Sequence, residues 1–124
     1  MNDMKKSGYV YIMTNKHKTT LYIGVSNNLI RRFYEHKKHI IKNSFTDKYN
    51  LEYCIYYEEF TYFDLAIKRE KELKTWNRQK KEELINRINP EWKELVNESG
   101  FVRDSSLRSE EKKRAVQDSS LRSE

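Results

Sequence analysis

The sequence predicts a small α+β domain, and three observations predict it. Two β-branched and aromatic runs flank one polar turn, a third such run follows later, and the segments between and after them place apolar residues at helical spacing. Tyr9–Met13 (YVYIM) and Leu21–Val25 (LYIGV) enclose the polar TNKHKTT, which predicts a hairpin with a loop longer than two residues. From Asn27 to Ile41 the pattern turns helical, with Leu29, Phe33 and Ile40 on one stripe and Ser26, Asn27 or Asn28 available as the cap. Asn50–Phe60 (NLEYCIYYEEF) predicts the third strand. Phe63–Trp76 predicts a helix with Asp64 near its start, and Arg78–Ile88 predicts another. NPEW predicts a short last helix, with Asn89 as N-cap and Pro90 at the first helical position.

The composition sets bounds on function. At 124 residues the chain is expected to hold one modest core, in a domain spanning residues 1–97. The polar remainder, 98–124, repeats DSSLRSE at Asp104–Glu110 and Asp118–Glu124; two copies do not make a solenoid, and a disordered tail is expected. Charged residues are 35% of the chain and the net charge is +6, which fits a polyanionic partner, although solubility alone could also explain a lysine-rich surface. The one cysteine, Cys54, excludes an internal disulfide framework and lies in an apolar run, where a buried thiol is expected rather than a nucleophile. The first residues, MNDMKKSG, hold no apolar run of signal-peptide kind and no stretch reaches membrane-spanning length, so the expected setting is cytoplasmic, with no membrane and no obligate protein partner.

Strand alternation gathers the chemistry. Tyr9, Tyr11 and Met13 share a face of the first strand; Tyr22 and Gly24 share a face of the second. Gly24 leaves bare backbone beside the tyrosines, where another group can approach closely. Aromatic cross-strand packing would explain the tyrosines equally well. Arg32 and His36 lie one turn apart on the next helix; an arginine fork beside the core suits a phosphate oxygen, while His36 falls on the apolar stripe and fits a core residue as well as a functional one. On the following helix Phe63, Ala66, Ile67, Glu70, Leu73 and Asn77 follow three- and four-residue steps, which puts Glu70 on the apolar stripe. A carboxylate there requires a partner, either a neighbouring Lys or Arg or a hard cation such as Mg²⁺, which takes one or two protein carboxylates and keeps its waters. No His/Cys cluster has zinc spacing, and three glycines cannot build a phosphate-cradling loop.

The YVY of Tyr9–Tyr11, the YIG of Tyr22–Gly24, NLIRRFYEHK after it, REKELK, the W-x-R-x-x-K of Trp76, Arg78 and Lys81, and NPEWKEL together resemble the GIY-YIG nuclease superfamily, and the stretch from Gly8 to about Val96 resembles its small stand-alone bacterial members. The motifs occur in the family's order; Tyr9 stands where the family has its first glycine. The resemblance implies a small three-stranded antiparallel sheet flanked by helices, and a metal-dependent endonuclease that hydrolyses phosphodiester bonds in DNA, of the repair or recombination type. Carried onto this sequence, it implies Tyr11 and Tyr22 as the motif tyrosines, one helping to deprotonate the attacking water. It implies Arg32 as the stabiliser of phosphorane-like charge, His36 as relay or water orienter, and Glu70 as the ligand of Mg²⁺ or Mn²⁺. Gly24 is the point of close approach, and Asn89 matches the family's late asparagine, though capping alone would account for it. The rival expectation is a nucleic-acid-binding module of the same fold that cuts weakly or not at all.

Overall fold

A computed structural model describes residues 7–102. Strand β1 (Gly8–Thr14) pairs antiparallel with β2 (Leu21–Ser26), with Tyr11 opposite Gly24 and Met13 opposite Tyr22. On its other side β1 pairs antiparallel with β3 (Tyr53–Phe60). The expected three strands are present and form the centre of a five-stranded sheet of order β2-β1-β3-β4-β5. The two added strands, β4 (Val96–Asn97) and β5 (Gly100–Phe101), are two residues each, too short to show a period-2 pattern. They carry the fold past the expected boundary at residue 97, and the repeated DSSLRSE segments lie outside the described residues.

The two sheet faces bury different cores. Val10, Ile12 and Ile23 point to a layer formed with Ala66 and Leu73 of α3 (Phe63–Lys74) and Leu84 and Ile85 of α4 (Arg78–Ile88). Tyr11, Met13 and Cys54 point the other way, against Leu29 and Phe33 of α1 (Leu29–Lys37). A register shift between Ile12 and Met13 pairs these with Tyr56 and Cys54 and passes over Ile55, so Ile55 and Tyr56 both join the α3–α4 core. Cys54 is fully buried, as its apolar run predicts, and forms no disulfide; its thiol donates to the Tyr56 carbonyl at 3.6 Å.

Helix boundaries follow their caps. Asn28 caps α1, its side chain accepting from the Arg31 N–H at 3.1 Å. The helix stops at Lys37, short of the expected Ile41, because His39 takes a left-handed backbone (φ 56°) and its ring is held between Asp47 and Glu52. Ile40, expected on the buried stripe, is consequently 53% exposed. A short helix, α2 (Phe45–Lys48), follows with Ser44 as its N-cap. Asn77, assigned by its spacing to the stripe of α3, instead caps α4 by accepting from Lys80 N–H at 2.9 Å. Arg78 reaches back to the carbonyls of Thr19 and Lys18, at 2.8 and 3.0 Å, and ties the hairpin loop to α4.

NPEW forms a turn, not the expected helix. Asn89 is the C-cap residue of α4, and its buried amide donates to the carbonyls of Ile55 and Lys93, both at 2.8 Å, and accepts from Lys93 N–H at 2.9 Å. Both of its amide protons and its side-chain oxygen are engaged in shaping this turn, a structural role that accounts for the burial of Asn89. Among the described residues no helix is long and apolar enough to cross a membrane.

Candidate active site

The hairpin and α1 bring five of the sequence-selected residues together. Tyr11 lies in the middle of β1, 1% exposed, and its hydroxyl sits 3.0 Å from His36 Nε2. Directly across the ladder, a Cβ on Gly24 would fall 2.4 Å from the Tyr11 hydroxyl oxygen and 2.9 Å from the Tyr22 ring. No real contact is that short, so the space that any side chain at position 24 would need is already filled by the two tyrosines. The expected bare backbone is therefore present, and what approaches it is Tyr11 itself.

His36 is buried, and its second nitrogen, Nδ1, lies 2.9 Å from Thr46 Oγ1 of α2. Tyr22 closes the cluster from the β2 side, its ring 6.4 Å from Tyr11, 5.8 Å from His36 edge-on, and stacked at 5.8 Å on Phe45. Phe45 in turn packs on Tyr49 at 4.7 Å, and both of these rings are exposed. An unbroken run of rings thus leads from the buried Tyr11 hydroxyl to the surface.

Arg32 supplies the positive charge. It acts on Tyr11 and His36 alike, and its Nε is buried without a hydrogen-bond partner. The nearest carboxylate oxygen, on Glu35, is 3.5 Å from that nitrogen, close enough for an ion pair but not hydrogen-bonded to it. A buried donor left unsatisfied costs on the order of 1–3 kcal/mol, more for a charged group, so this nitrogen is set to receive an acceptor.

The electrostatics separate the two partners of the central bond. Burial above all, with the Tyr22 phenol adding to it, raises the Tyr11 phenol well beyond its ordinary value, against a smaller opposing pull from Arg32. Burial, then the Arg32 charge, lowers His36 to about 4. At neutral pH the pair is consequently a phenol beside a neutral imidazole: one proton and one free lone pair.

Glu70 makes its ion pair within its own helix. The buried positions of α3 are Ala66 and Leu73, both on the expected stripe, and Arg69 at its edge, with Phe63, Ile67 and Glu70 half-buried. Glu70 flanks that face with its side chain 14% exposed, and it pairs with Lys74 Nζ at 2.7 Å. The fully buried carboxylate on this side of the sheet is Glu58 of β3, held by both Arg69 Nε and Nη2 at 3.0 Å and by the Tyr56 hydroxyl at 2.5 Å. Sequence reasoning missed this pair because Glu58 shares its strand face with Tyr56 and Phe60, and nothing local to the strand names Arg69, eleven residues on, as the partner that lets a carboxylate be buried there. It missed Thr46 as well. The signal for Thr46 was Ser44 followed three residues later by Asp47, a helix-start spacing, realised here by the Asp47 N–H donating to Ser44 Oγ at 3.2 Å.

A family model, the GIY-YIG catalytic domain, matches residues 7–83. The chain belongs to the GIY-YIG family. The matched segment holds β1 to β3, α1 to α3 and the start of α4, with every site residue except Asn89. Membership carries a family-level reading as a nuclease that acts on nucleic acid, with chemistry generally dependent on a divalent metal. No curated protein and no solved structure shows a match to the chain.

Proposed function

We propose that this GIY-YIG domain is a metal-dependent endonuclease hydrolysing phosphodiester bonds in DNA, in a cytoplasmic setting. The observation that carries the reading is Arg32 Nε, a buried cationic donor without an acceptor, beside the Tyr11–His36 pair. A non-bridging phosphate oxygen would satisfy that donor and place negative charge where it is best stabilised. Tyr11 Oη can take a proton from an attacking water as its own proton passes to the lone pair of neutral His36, a relay that avoids the full phenolate that burial opposes. Tyr22 and the exposed Phe45 and Tyr49 offer ring faces for unpaired bases, which favours branched, flapped or single-stranded DNA among the possible substrates. The +6 net charge contributes affinity independent of sequence.

The donor set fits a metal held by one carboxylate and its own waters. Among the described residues no three His, Cys, Asp or Glu side chains converge, which rules out an all-protein cage, whereas Glu70 is a partly shielded carboxylate whose present partner is a single half-exposed lysine. Glu70 would hold Mg²⁺ or Mn²⁺, and the ion would supply charge neutralisation at the phosphate. The Glu70–Lys74 pair also favours a second reading, a DNA-binding module with little or no cleavage. Incubation of the purified chain with labelled duplex, flap, fork and single-stranded DNA, in Mg²⁺, Mn²⁺ and chelator, separates the two. Cleavage with either metal supports the endonuclease; salt-sensitive binding without cleavage on any substrate supports the module.

A further inference from the structure

The direction of the proton in the Tyr11–His36 bond can be worked out from its far end. The carbonyl oxygen of Ile41 can only accept, and Ser44 Oγ donates to it at 2.9 Å. A hydroxyl has a single proton, so Ser44 has none left for Thr46 Oγ1, which lies 3.1 Å away. Thr46 is therefore the donor in that contact. Its one proton is then committed to Ser44, and toward His36 Nδ1, 2.9 Å away, Thr46 Oγ1 can only accept. The proton of that bond belongs to Nδ1. A neutral imidazole protonated on Nδ1 presents a lone pair on Nε2, so the Tyr11 hydroxyl, 3.0 Å away, donates to it. Each of these groups has one proton to give, and the Ser44–Ile41 bond, at the exposed end, biases the direction of the whole chain. His36 and Thr46 are both buried, which keeps water from reversing any link between them.

We infer that Thr46, with Ser44 behind it, is a positioning residue that locks His36 in its Nδ1–H tautomer and so makes Nε2 the proton acceptor for Tyr11. The tautomer follows from the hydrogen-bond chain alone; its catalytic consequence rests on the endonuclease reading. In that reaction the proton passes from Tyr11 Oη to His36 Nε2 as the same oxygen takes one proton from the attacking water, so no full phenolate stands in the buried site. The ring keeps its Nδ1–H bond to Thr46 and need not turn as its charge appears. With the opposite tautomer, Nε2 would carry a hydrogen already and could accept nothing.

Long-range imidazole ¹H–¹⁵N spectra of the full labelled chain at neutral pH test this directly. The three histidines, His17, His36 and His39, are distinguished with His36→Gln. The expected His36 pattern is a protonated, pyrrole-type Nδ1 and a pyridine-type Nε2. Thr46→Val keeps the shape and removes the acceptor, and the ring is expected to shift toward Nε2–H; Thr46→Ser is expected to keep the wild-type pattern. Ser44→Ala, at a half-buried cap, frees the Thr46 proton to turn toward Nδ1, so the Nδ1–H population is expected to fall. An Nε2–H ring in the wild type overturns the inference even if every variant fails to fold, as does an unchanged ring in both Thr46→Val and Ser44→Ala. Where the wild type cleaves DNA, Thr46→Val should lose on the order of tenfold or more in kcat with KM unchanged, and Thr46→Ser should recover it. A wild type with the expected tautomer that cuts no DNA sinks the endonuclease reading and leaves the tautomer assignment standing.

Discussion

Two buried polar clusters sit on opposite faces of the same sheet, and they are finished differently. Behind the sheet, Glu58 receives two bonds from Arg69 and one from Tyr56, and the remaining Arg69 nitrogen, Nη1, donates to Glu72 at 2.9 Å. That cluster is closed: its one cation is shared between two carboxylates and its donors point at acceptors of the chain. In front, Tyr11, His36 and Thr46 form an equally tight series, yet the cation beside them, Arg32, keeps a buried nitrogen unsatisfied. The contrast teaches how to tell a structural charge from a functional one in this fold. Burial is common to both; saturation is not. A closed pair needs nothing more, while an open one is completed by whatever binds.

The largest effect should come from breaking the closed cluster. Glu58→Ala leaves buried Arg69 with only the part-exposed Glu72 as a partner, and breaking a buried pair by removing one member costs about 3–5 kcal/mol. The expected outcome in denaturant titration is a loss of that size, enough to unfold much of a small domain at 37 °C. A loss below about 1 kcal/mol would show that Arg69 finds water or another acceptor and that the cluster is not closed. The open side should respond in the opposite manner. Arg32→Ala should leave the melting temperature within a degree or two and lower cleavage by roughly a hundredfold to a thousandfold, the size of one lost transition-state donor. Arg32→Lys should not restore the rate, because an ammonium cannot reproduce the planar fork. Wild-type cleavage by Arg32→Lys would remove the role assigned to Nε.

Glu70 sharpens the comparison because it belongs to neither cluster. Glu70→Gln should abolish metal-dependent cleavage and change stability by well under 1 kcal/mol without metal, since its one partner, Lys74, is half exposed. Metal-dependent cleavage by Glu70→Gln would end its assignment as the ligand, and marked destabilisation would show that the ion pair is structural.

The smallest effects are those of pH, and the two histidines should differ in sign. The folded value of His36 is lowered to about 4 from an ordinary 6.5, so between these values the unfolded chain binds the extra proton and stability falls as the solution is acidified through that window. The folded value of His39 is raised, by its hydrogen bonds to Glu52 and then Asp47, so its contribution is complete below the ordinary imidazole value and is lost as pH rises through the folded one. Unfolding midpoints followed against pH should therefore lose their acid-side slope in His36→Gln and their slope on the alkaline side of the imidazole range in His39→Gln. Unchanged slopes would overturn the assignment of those protons.

The sequence by itself determined the parts whose signals are local. Alternation in YVYIM and LYIGV placed Tyr11, Tyr22 and Gly24 on one face, and the four-residue step put Arg32 and His36 on one side of α1, since both periods are fixed by backbone geometry. Asn77 and Asn28 were legible as residues able to cap, though not which helix Asn77 would serve. The tertiary structure alone decided the rest. Whether Arg69 or Glu70 sits deeper on the buried face of α3 depended on a rotation smaller than one residue, which a helical wheel cannot fix without knowing what the helix packs against, and it was Arg69 that met the buried Glu58 of β3. That Asn89 closes a turn depended on Ile55, thirty-four residues away, offering its carbonyl. And that Thr46 reaches His36 depended on α2 folding back over α1, a contact between residues ten apart across a left-handed turn at His39. Periodicity names the face a residue occupies; only packing names the atom it meets there.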